Sequence, residues 1–472
     1  MNVLILHLNS LGKTFQLGLA YIASILRDKK HAVYFLSLSY LDKISIEDEM
    51  KNDIQLILIS VTTDSFELCK NIVNFLNSKS NVSIIIGGIH PTIRPEECIA
   101  LDGIMGICIG EGEYPLVELA EALEQKKDYT KINNLWVKRE GKIYKNELRD
   151  LIQDLDSLPL PDYSIFKKYF DFEWLPIILS RGCPYNCSYC CNHSLRLLFK
   201  GKGRYLRHHS VPYSIKVVEQ LIKQFPKVET IEFFDDTFTI NIKWLHEFLK
   251  EFSKFKVKFV CNTRFDLMNE DMIKLLSGSG CVRINAGVEC GNEKLRKEVL
   301  RRQTISDKQI IDGAKLLKKY NIRLYRHNMV GLPYETEEDI LKTIELNKKI
   351  QVEEAQVSIF NPYPATYLGK ICEDNNWINK KLKATSYNDF TLLETPFIPP
   401  HLVNYYFLVF PSMVFDSGVH LQVKKAIFWL LHFFNNKPYI FLRNAKVNLL
   451  LKTGTRRKRF LKKLGSITRK IA

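Results

Sequence analysis

The sequence has no acidic residue after Asp416 and no recognisable export signal in its N-terminal segment. The N-terminus MNVLILHLNSLGKTF lacks a basic segment followed by an apolar run and a small-residue cleavage site, so we expect a cytoplasmic protein. Because that compartment is reducing, eleven cysteines do not indicate a disulfide framework. A chain of 472 residues predicts two or three domains, each with its own core.

The net charge of +16 is concentrated in one region. Residues 417–472 contain fourteen Lys and Arg and no Asp or Glu, which leaves about +2 on residues 1–416. We therefore expect no nucleic-acid partner for the body of the protein.

The first part of the chain alternates apolar runs of strand length with helical stretches such as Leu17–Asp28 and Phe66–Asn77. This alternation predicts an α/β fold that opens with a doubly wound, Rossmann-like domain over residues 1–135. Its ligand site should lie at the carboxyl ends of the strands. A hairpin, LWVKREGKIY, and a linker with two prolines follow over residues 136–175.

A second series of apolar runs begins at PIILS, residues 176–180. Six strand-and-helix units predict a (β/α)6 partial TIM barrel over residues 176–370, with its chemistry at the carboxyl ends of the strands. Residues 371–472 are predicted to form a mostly helical, basic region. The remaining predicted strands of the barrel are VETIEFFDD, KVKFVCNTR, CVRINAGVE, IRLYRHNMVGLP and AQVSIF.

Four cysteines lie close together in RGCPYNCSYCC, residues 181–191. A structural zinc site usually needs two ligand pairs from separate places, and the chain has no second CxxC pair. Inert packing is the plain alternative at this density. The spacing CxxxCxxC favours a [4Fe-4S] cluster held by Cys183, Cys187 and Cys190, with the fourth iron open to bind a substrate or cosubstrate. Cys191 would be a bystander.

This motif after the first barrel strand resembles the radical SAM superfamily, and Tyr189 fits the aromatic position before its last cysteine. The resemblance implies that the open iron binds S-adenosylmethionine and that the reduced cluster cleaves it to a 5′-deoxyadenosyl radical. It also implies roles for residues at the other strand ends. Asp235 and Asp236 would face the amino group of S-adenosylmethionine, Arg264 its carboxylate, Glu289 the ribose or reacting centre, and Gly331, Leu332 and Pro333 the adenine.

One departure and one alternative qualify this assignment. Tyr334 stands where the GLPGET turn of the family commonly has glycine. Each carboxylate, and Arg264, could instead be a solvated or ion-paired loop residue.

The N-terminal domain resembles the cobalamin-binding domain that precedes the barrel in one radical SAM subgroup, through GGIHPTIRPEE and GEGE. Domains that ligate cobalt with histidine carry DxHxxG after the first strand, and Asn9 occupies that histidine position here. The resemblance therefore implies base-off cobalamin without a histidine ligand. The implied contacts are Asn9, Gly12, Ser60, Thr62, Gly87, Gly88, His90, Gly110, Glu111 and Gly112.

Three other patterns point elsewhere and are weaker. Gly12-Lys13-Thr14 ends like a P-loop, but His7 stands where that motif requires its first glycine. His90 alone in a turn is more typical of a hydrogen-bonding residue or a cofactor contact than of a metal ligand. Assignment as a methylthiotransferase is weaker because those enzymes place a cysteine directly after the first strand, and this chain has no cysteine there.

The C-terminal region is ambiguous. Residues 395–415 are uncharged over a membrane-spanning length, but Pro396, Pro399, Pro400 and Pro411 are predicted to break a helix there. KKAIFWLLHFF is apolar on all sides, and RRKRFLKKLGSITRK has the pattern of an interfacial helix, so peripheral contact with the inner membrane surface is one reading. A solvated basic tail is the other.

These patterns together predict a cobalamin-dependent radical SAM enzyme that methylates an unactivated carbon of a small-molecule or lipid-like substrate. An external electron donor of the flavodoxin or ferredoxin type would be its partner. The first alternative is a cyclase or oxidase with the same cofactors and no methyl transfer. The second, from another class, is a membrane-docked binding protein with a structural cluster.

Overall fold

The computed structural model describes residues 1–8, 16–38, 42–170, 172–351, 354–382 and 390–415. Its N-terminal part is a seven-stranded sheet in the order β2-β1-β3-β4-β5-β6-β7. The first five strands are parallel, and the hairpin β6–β7 continues the sheet in the antiparallel direction. The strands are β1 Asn2–Leu8, β2 Ala32–Leu38, β3 Leu56–Ser60, β4 Ser83–Gly87, β5 Gly106–Cys108, β6 Leu135–Arg139 and β7 Lys142–Lys145.

Helices cover both faces of this sheet because its strands are apolar on both sides. In β1, Val3 and Ile5 pack into the hydrophobic cluster that contains α1 and α6, whereas Leu4 and Leu6 pack into the cluster of α2, α3 and α5. This arrangement is the predicted doubly wound domain. The helices are α1 Gly18–Asp28, α2 Lys43–Met50, α3 Phe66–Asn77, α4 Ile89–Ile93, α5 Pro95–Ile99 and α6 Glu113–Glu124.

The second part is a six-stranded, entirely parallel sheet in the order β15-β14-β13-β12-β11-β8. It curls into the predicted partial barrel, with helices on its outer face. A short antiparallel pair, β9 Ser180–Arg181 and β10 Arg207–His208, follows the first strand. The barrel strands are β8 Trp174–Ile177, β11 Thr230–Phe233, β12 Lys258–Thr263, β13 Cys281–Glu289, β14 Arg323–Val330 and β15 Glu354–Ile359.

The helices of the barrel follow the strands in alternation, as the sequence predicts. Most begin with a side-chain cap; Ser210, Asn241, Asn269 and Ser306 each accept a hydrogen bond from a backbone N–H of the first turn. The helices are α7 Cys191–Leu198, α8 Val211–Gln224, α9 Ile242–Phe252, α10 Glu270–Gly278, α11 Glu293–Glu298, α12 Asp307–Lys319 and α13 Glu337–Lys349.

The first barrel strand ends earlier than the run PIILS suggests. β8 stops at Ile177, and the backbone N–H of Leu179 donates instead to the Asp235 carboxylate at 3.1 Å. The Ser180 hydroxyl donates to the same carboxylate oxygen. A side chain thus replaces the sheet partner at this point and turns the chain toward the cysteines.

Helix α14, Tyr367–Asp374, and helix α15, Pro400–Phe415, close the described part of the chain. The prediction that prolines break a helix over 395–415 is wrong for Pro411, which lies inside α15. Pro400 suits the first helical position, where its missing N–H costs nothing. The exposed Pro411 lies near the helix end, and the buried face of α15 packs against β15 and α13.

None of the helices in the described residues is long and apolar enough to cross a membrane. The predicted apolar segment 424–434 and the basic segment 456–470 lie outside the described residues, as do most of residues 371–472.

Candidate functional site

Three of the four clustered cysteines lie on the loop between β9 and α7, and Cys191 is the first residue of α7. All eleven cysteines are free thiols; these four are half-buried, and the other seven are buried. The loop therefore presents its sulfur atoms to a cleft at the carboxyl ends of the barrel strands.

The arrangement of Cys183, Cys187 and Cys190 is compatible with the predicted cluster of several irons. Among the described residues, no three His, Cys, Asp or Glu side chains converge on a single-ion site. A four-iron cluster binds each thiolate through a different iron, so its ligands need not converge. Each of the three sulfurs has one polar neighbour, and such contacts tune a cluster's potential. They are Thr237 Oγ1 at 3.9 Å from Cys183, Arg264 Nη1 at 3.7 Å from Cys187 and Asn192 Nδ2 at 3.8 Å from Cys190.

Arg264 lies beside the cluster loop but already has a carboxylate partner. Its Nε and Nη2 donate to Asp266 at 3.0 and 2.9 Å. Its guanidinium stacks on the Tyr185 ring, 3.5 Å from the centroid. This pairing and the neighbouring Arg264 charge give Asp266 a lowered pKa, against the opposing effect of burial. Arg264 thus contacts Asp266 and Tyr185, whereas its expected contact with the carboxylate of S-adenosylmethionine stays a prediction.

Asp235 and Asp236 have opposite surroundings although they are neighbours in the chain. Asp235 is buried, and its Oδ1 supports Leu179 and Ser180, while its Oδ2 has no hydrogen-bond partner among the described residues. Burial raises the pKa of Asp235 to about 7. Asp236 is exposed at the end of β11, although neighbouring protein atoms partly desolvate its carboxylate and raise its pKa as well. Of the two, Asp236 is thus the carboxylate accessible to a ligand.

Glu289 forms a buried triad with Tyr189 and Arg302. The Tyr189 hydroxyl and Arg302 Nη1 donate to Glu289 Oε1 at 3.0 and 2.6 Å, and Arg302 also donates to the Tyr189 hydroxyl at 3.1 Å. Glu289 has a φ of 65°, a backbone angle that residues other than glycine rarely adopt. The triad ties the aromatic residue of the cysteine motif to the end of β13. Sequence reasoning missed Arg302, which lies thirteen residues beyond Glu289 with no motif to mark it.

The turn GLPYE after β14 is held by its own glutamate. The backbone N–H groups of Gly331 and Leu332 donate to Glu335 Oε2 at 2.6 and 3.1 Å. Glu335 is fully buried, which raises its pKa to about 8. Tyr334 takes a φ of 66°, the left-handed region that a glycine here would occupy without strain. Tyr334 therefore adopts a backbone conformation that glycine would favour.

A cavity of 430 Å³ lies between the two halves of the molecule. The predicted contacts Ser60, Gly87, Gly88, Gly110, Glu111 and Gly112 line it, together with Arg181 and Gly182 from the cysteine loop. Gly110 has a φ of 79°, and a Cβ there would lie 2.5 Å from the Phe199 ring. The glycine at position 110 thus allows the left-handed turn and leaves room for the Phe199 ring to pack against it.

The other predicted cobalamin contacts have different positions. Thr62 caps the short turn before α3 through Ser65, and neither it nor His90 lines the cavity. His90 lies buried in α4, where its Nδ1 is 3.2 Å from the Thr63 hydroxyl, and burial lowers its pKa to about 4. Asn9 and Gly12 lie outside the described residues.

A buried ion network joins the cavity to the cysteine loop. Arg181 donates from Nη1 to Glu111 at 2.8 Å and from Nη2 to Glu113 at 2.6 Å. Arg207 donates to the same Glu111 at 2.9 Å. Because Arg181 is followed directly by Gly182 and Cys183, the GEGE turn of the first domain supports the start of the cluster loop.

Two family models match the chain in the order expected from its motifs. The B12 binding domain model matches residues 3–120, and the radical SAM superfamily model matches residues 177–346. An uncharacterised methyltransferase of Pyrococcus horikoshii is 30% identical over 376 residues, which are 76% of this chain and 79% of that protein. The anaerobic magnesium-protoporphyrin IX monomethyl ester cyclase of Cereibacter sphaeroides is 26% identical over 368 residues, 74% of this chain and 56% of the cyclase.

Two solved structures share the fold at low sequence identity. The radical S-adenosylmethionine methyltransferase TsrM of Kitasatospora setae, with tryptophan substrate and a SAM analogue bound, superposes with a TM-score of 0.66 at 17% identity. That match covers 80% of this chain and 77% of TsrM. The cobalamin-dependent radical enzyme OxsB with aqua-cobalamin bound has a TM-score of 0.61 at 19% identity, covering 79% of this chain and 56% of OxsB.

Replacing single cysteines should separate ligands from bystander. We expect Cys183→Ala, Cys187→Ala and Cys190→Ala each to lose most of the iron and sulfide after anaerobic reconstitution, because two thiolates cannot hold the cluster. Cys191→Ala is the matched control and should bind iron like the unaltered protein. Iron and sulfide analysis with low-temperature EPR measures this. Iron loss in Cys191→Ala with retention in Cys190→Ala would contradict the assignment.

Glu335→Gln should stabilise the protein in a pH-dependent way. Because the folded-state pKa of Glu335 is about 8, above its unfolded value, the glutamate progressively lowers stability as pH rises from about 4.5 to 8. Glutamine retains the oxygen that accepts both backbone N–H bonds. We expect little difference at pH 5 and a gain of about 2 kcal/mol in unfolding free energy at pH 8.5, measured by urea denaturation.

The control for this experiment is Glu338→Gln in α13, whose exposed carboxylate pairs with Lys342. It should change stability little at either pH. A loss of stability in Glu335→Gln at pH 8.5 would mean that the ionised carboxylate is needed by the turn.

Proposed function

Because the chain belongs to the radical SAM enzymes that carry an N-terminal B12-binding domain, we propose that it transfers a methyl group to an unactivated carbon. The relative of Pyrococcus horikoshii supports methyl transfer because it is named a methyltransferase and its match covers 76% of this chain. The substrate we propose is a small molecule or a lipid-like compound.

The observation that carries this proposal is the cavity shared by both domains. Its walls combine glycine turns at the carboxyl ends of the first sheet with Arg181 and Gly182, directly before Cys183. A methyl relay needs its two cofactors to face one space, and this cavity supplies such a space. A structural cluster in a binding protein would need no neighbouring cofactor cavity and no open coordination position.

Three cysteines would hold the cluster, and the glycine turns would hold the corrin. When bound, the reduced cluster supplies the electron that cleaves S-adenosylmethionine, and cobalamin supplies a cobalt that accepts and donates methyl groups. Asp236 is exposed at the end of β11, where it can accept hydrogen bonds from an ammonium group. The Glu289 triad holds the Tyr189 hydroxyl in place within the cysteine motif.

Cobalamin would bind base-off, without histidine on cobalt. The sequence supports this through Asn9 at the position where histidine-ligating domains carry their ligand. The nearby His7 is buried within β1, with its Nδ1 3.0 Å from the Ser37 hydroxyl. His90 is bonded to Thr63 and does not line the cavity.

A one-electron donor of the flavodoxin or ferredoxin type would reduce the cluster, because S-adenosylmethionine cleavage consumes an electron that the protein does not generate. Peripheral membrane contact through the basic residues 417–472 is proposed from composition alone.

The second candidate function is ring closure or oxidation without methyl transfer. The cyclase of Cereibacter sphaeroides favours it, although the chain spans only 56% of that protein's length. Both functions share the cofactors, so the fate of the methyl group distinguishes them.

The test uses reconstituted, cobalamin-loaded protein with S-adenosylmethionine that carries a trideuterated methyl group, incubated with small-molecule and lipid extracts under reduction. A methyltransferase should release S-adenosylhomocysteine and 5′-deoxyadenosine and should leave a compound in which a trideuteromethyl group has replaced one hydrogen. Mass spectrometry measures all three products. Cys187→Ala should produce none of them, and Cys191→Ala should produce all.

The alternatives give different outcomes. Release of 5′-deoxyadenosine with an unlabelled, altered compound would favour the cyclase or oxidase. Absence of S-adenosylmethionine cleavage by the reduced, cluster-loaded protein would contradict both and revive the binding protein.

EPR of the protein loaded with Co(II) cobalamin tests the ligation of cobalt. We expect a base-off signal without nitrogen splitting, because Asn9 stands at the position of the ligating histidine and His90 does not line the cavity. His90→Ala is the control and should give the same spectrum. Nitrogen splitting that disappears in His90→Ala would identify His90 as the ligand and would contradict the interpretation of Asn9.

A further inference from the structure

A basic, solvent-filled depression lies on the outer surface beside the cysteine loop. Its volume is 620 Å³, and its lining includes Arg204, His208, Ile242 and Lys243. It is separate from the cavity between the domains, although Arg207 lines both. The stretch KGKGR, residues 200–204, runs along this side of the molecule.

Two cations of this depression, Arg204 and Lys243, are not neutralised by the described residues, whereas Arg207 is paired with Glu111. Arg204 and Lys243 are exposed, and within the described ranges neither forms a salt bridge. Lys200 and Lys202 on the same loop likewise have no ion pair among the described residues. The bordering segment 150–154 contributes two carboxylates, Asp150 and Asp154, so positive charge predominates. Unpaired cations around this depression would attract an acidic surface of another protein.

Only two side-chain contacts separate this surface from a cluster ligand. Arg204 is followed by Tyr205, whose hydroxyl donates to Asn192 Oδ1 at 2.8 Å. The Asn192 Nδ2 lies 3.8 Å from Cys190 Sγ. A second approach leads through Ile240, whose N–H donates to the carbonyl of Thr237 at 3.2 Å, and Thr237 contacts Cys183.

An exposed apolar residue completes the surface. Ile242 is 46% exposed and lies next to Lys243 in the lining. An apolar centre with charged residues around it is the usual composition of a transient protein interface.

We propose that this surface, centred on Arg204, Ile242 and Lys243, docks an acidic one-electron carrier protein that reduces the cluster. The inference rests on the proposed function, because only a redox cluster needs such a partner. The carrier loses one electron, a flavin hydroquinone becoming its semiquinone, and the cluster gains it in passing from the 2+ to the 1+ state. Charge complementarity selects an acidic carrier over a basic one.

The experiment uses full-length, reconstituted protein and a purified bacterial flavodoxin in its hydroquinone form. Stopped-flow absorbance gives the second-order rate of cluster reduction, and titration calorimetry with oxidised flavodoxin gives the affinity. We expect Arg204→Glu and Lys243→Glu each to lower the rate and the affinity about five- to tenfold at low ionic strength. Added salt should slow the unaltered protein steeply and the variants less.

Lys258→Glu is the matched control, with the same charge change. Lys258 is exposed at the amino end of β12, the opposite end of the barrel from the cysteine loop. It should change rate and affinity less than twofold. If Lys258→Glu slows cluster reduction equally, the effect depends only on the net charge of the protein and the proposed surface is wrong. Unchanged rate and affinity in Arg204→Glu and Lys243→Glu would also overturn it.

Reduction by dithionite distinguishes failure of docking from failure of the proposed function. Dithionite needs no docking surface, so both variants should be reduced by it and should cleave S-adenosylmethionine like the unaltered protein. If dithionite-reduced protein does not cleave S-adenosylmethionine, the proposed function fails. If cleavage occurs and the variants accept electrons from flavodoxin at the unaltered rate, the docking proposal alone fails.

Discussion

Arg181 joins the two halves of this molecule at the point where their chemistry must meet. Its guanidinium bonds Glu111 and Glu113 of the first domain, and its backbone leads directly into Gly182 and Cys183. A buried arginine between two carboxylates loses much stability if either partner is removed, because a charge is then left unpaired. The position of the cysteine loop relative to the glycine turns of the first sheet therefore depends on this network.

Two turns at the carboxyl ends of the barrel strands are stabilised in the same way. In each of them one buried carboxylate accepts hydrogen bonds from backbone N–H groups that have no partner in the sheet. Asp235 receives the N–H of Leu179 where β8 ends, and Glu335 receives two N–H groups of the turn after β14. Both carboxylates are buried, and burial raises both of their pKa values. Such positions cost stability at neutral pH, which is typical of backbone that is shaped for binding rather than for packing.

The sequence predicted the architecture well because the signals of a parallel α/β fold are local. Apolar runs such as VLILHL and CVRINAGVE are buried on both faces and coincide with β1 and β13. The cysteine spacing is equally local, within eight residues from Cys183 to Cys190. Pro411 shows the limit of local rules, since tertiary packing of α15 outweighs the lost hydrogen bond.

The partners of the site residues could not be predicted, because they lie far away in the chain and follow no motif. Tyr189 meets Glu289 across 100 residues, and Arg181 meets Glu111 across 70. The type of a residue at a strand end indicates that its side chain could bind a ligand. Only the fold determines whether that side chain already has a partner within the protein. Arg264 illustrates this, since Asp266, two residues on, occupies the guanidinium that the resemblance assigns to a ligand.

The open form of the barrel explains why the cysteine loop can serve two surfaces. β8 is an edge strand of the six-stranded sheet, so the loop that follows it has the barrel cleft on one side and solvent on the other. In a closed barrel, further strands would surround the loop and would leave it accessible from one side only. The proposed electron carrier would approach this loop from the solvent side, where the Tyr205 hydroxyl donates to Asn192. The half-buried state of these four cysteines, when the other seven are buried, follows from the same edge position.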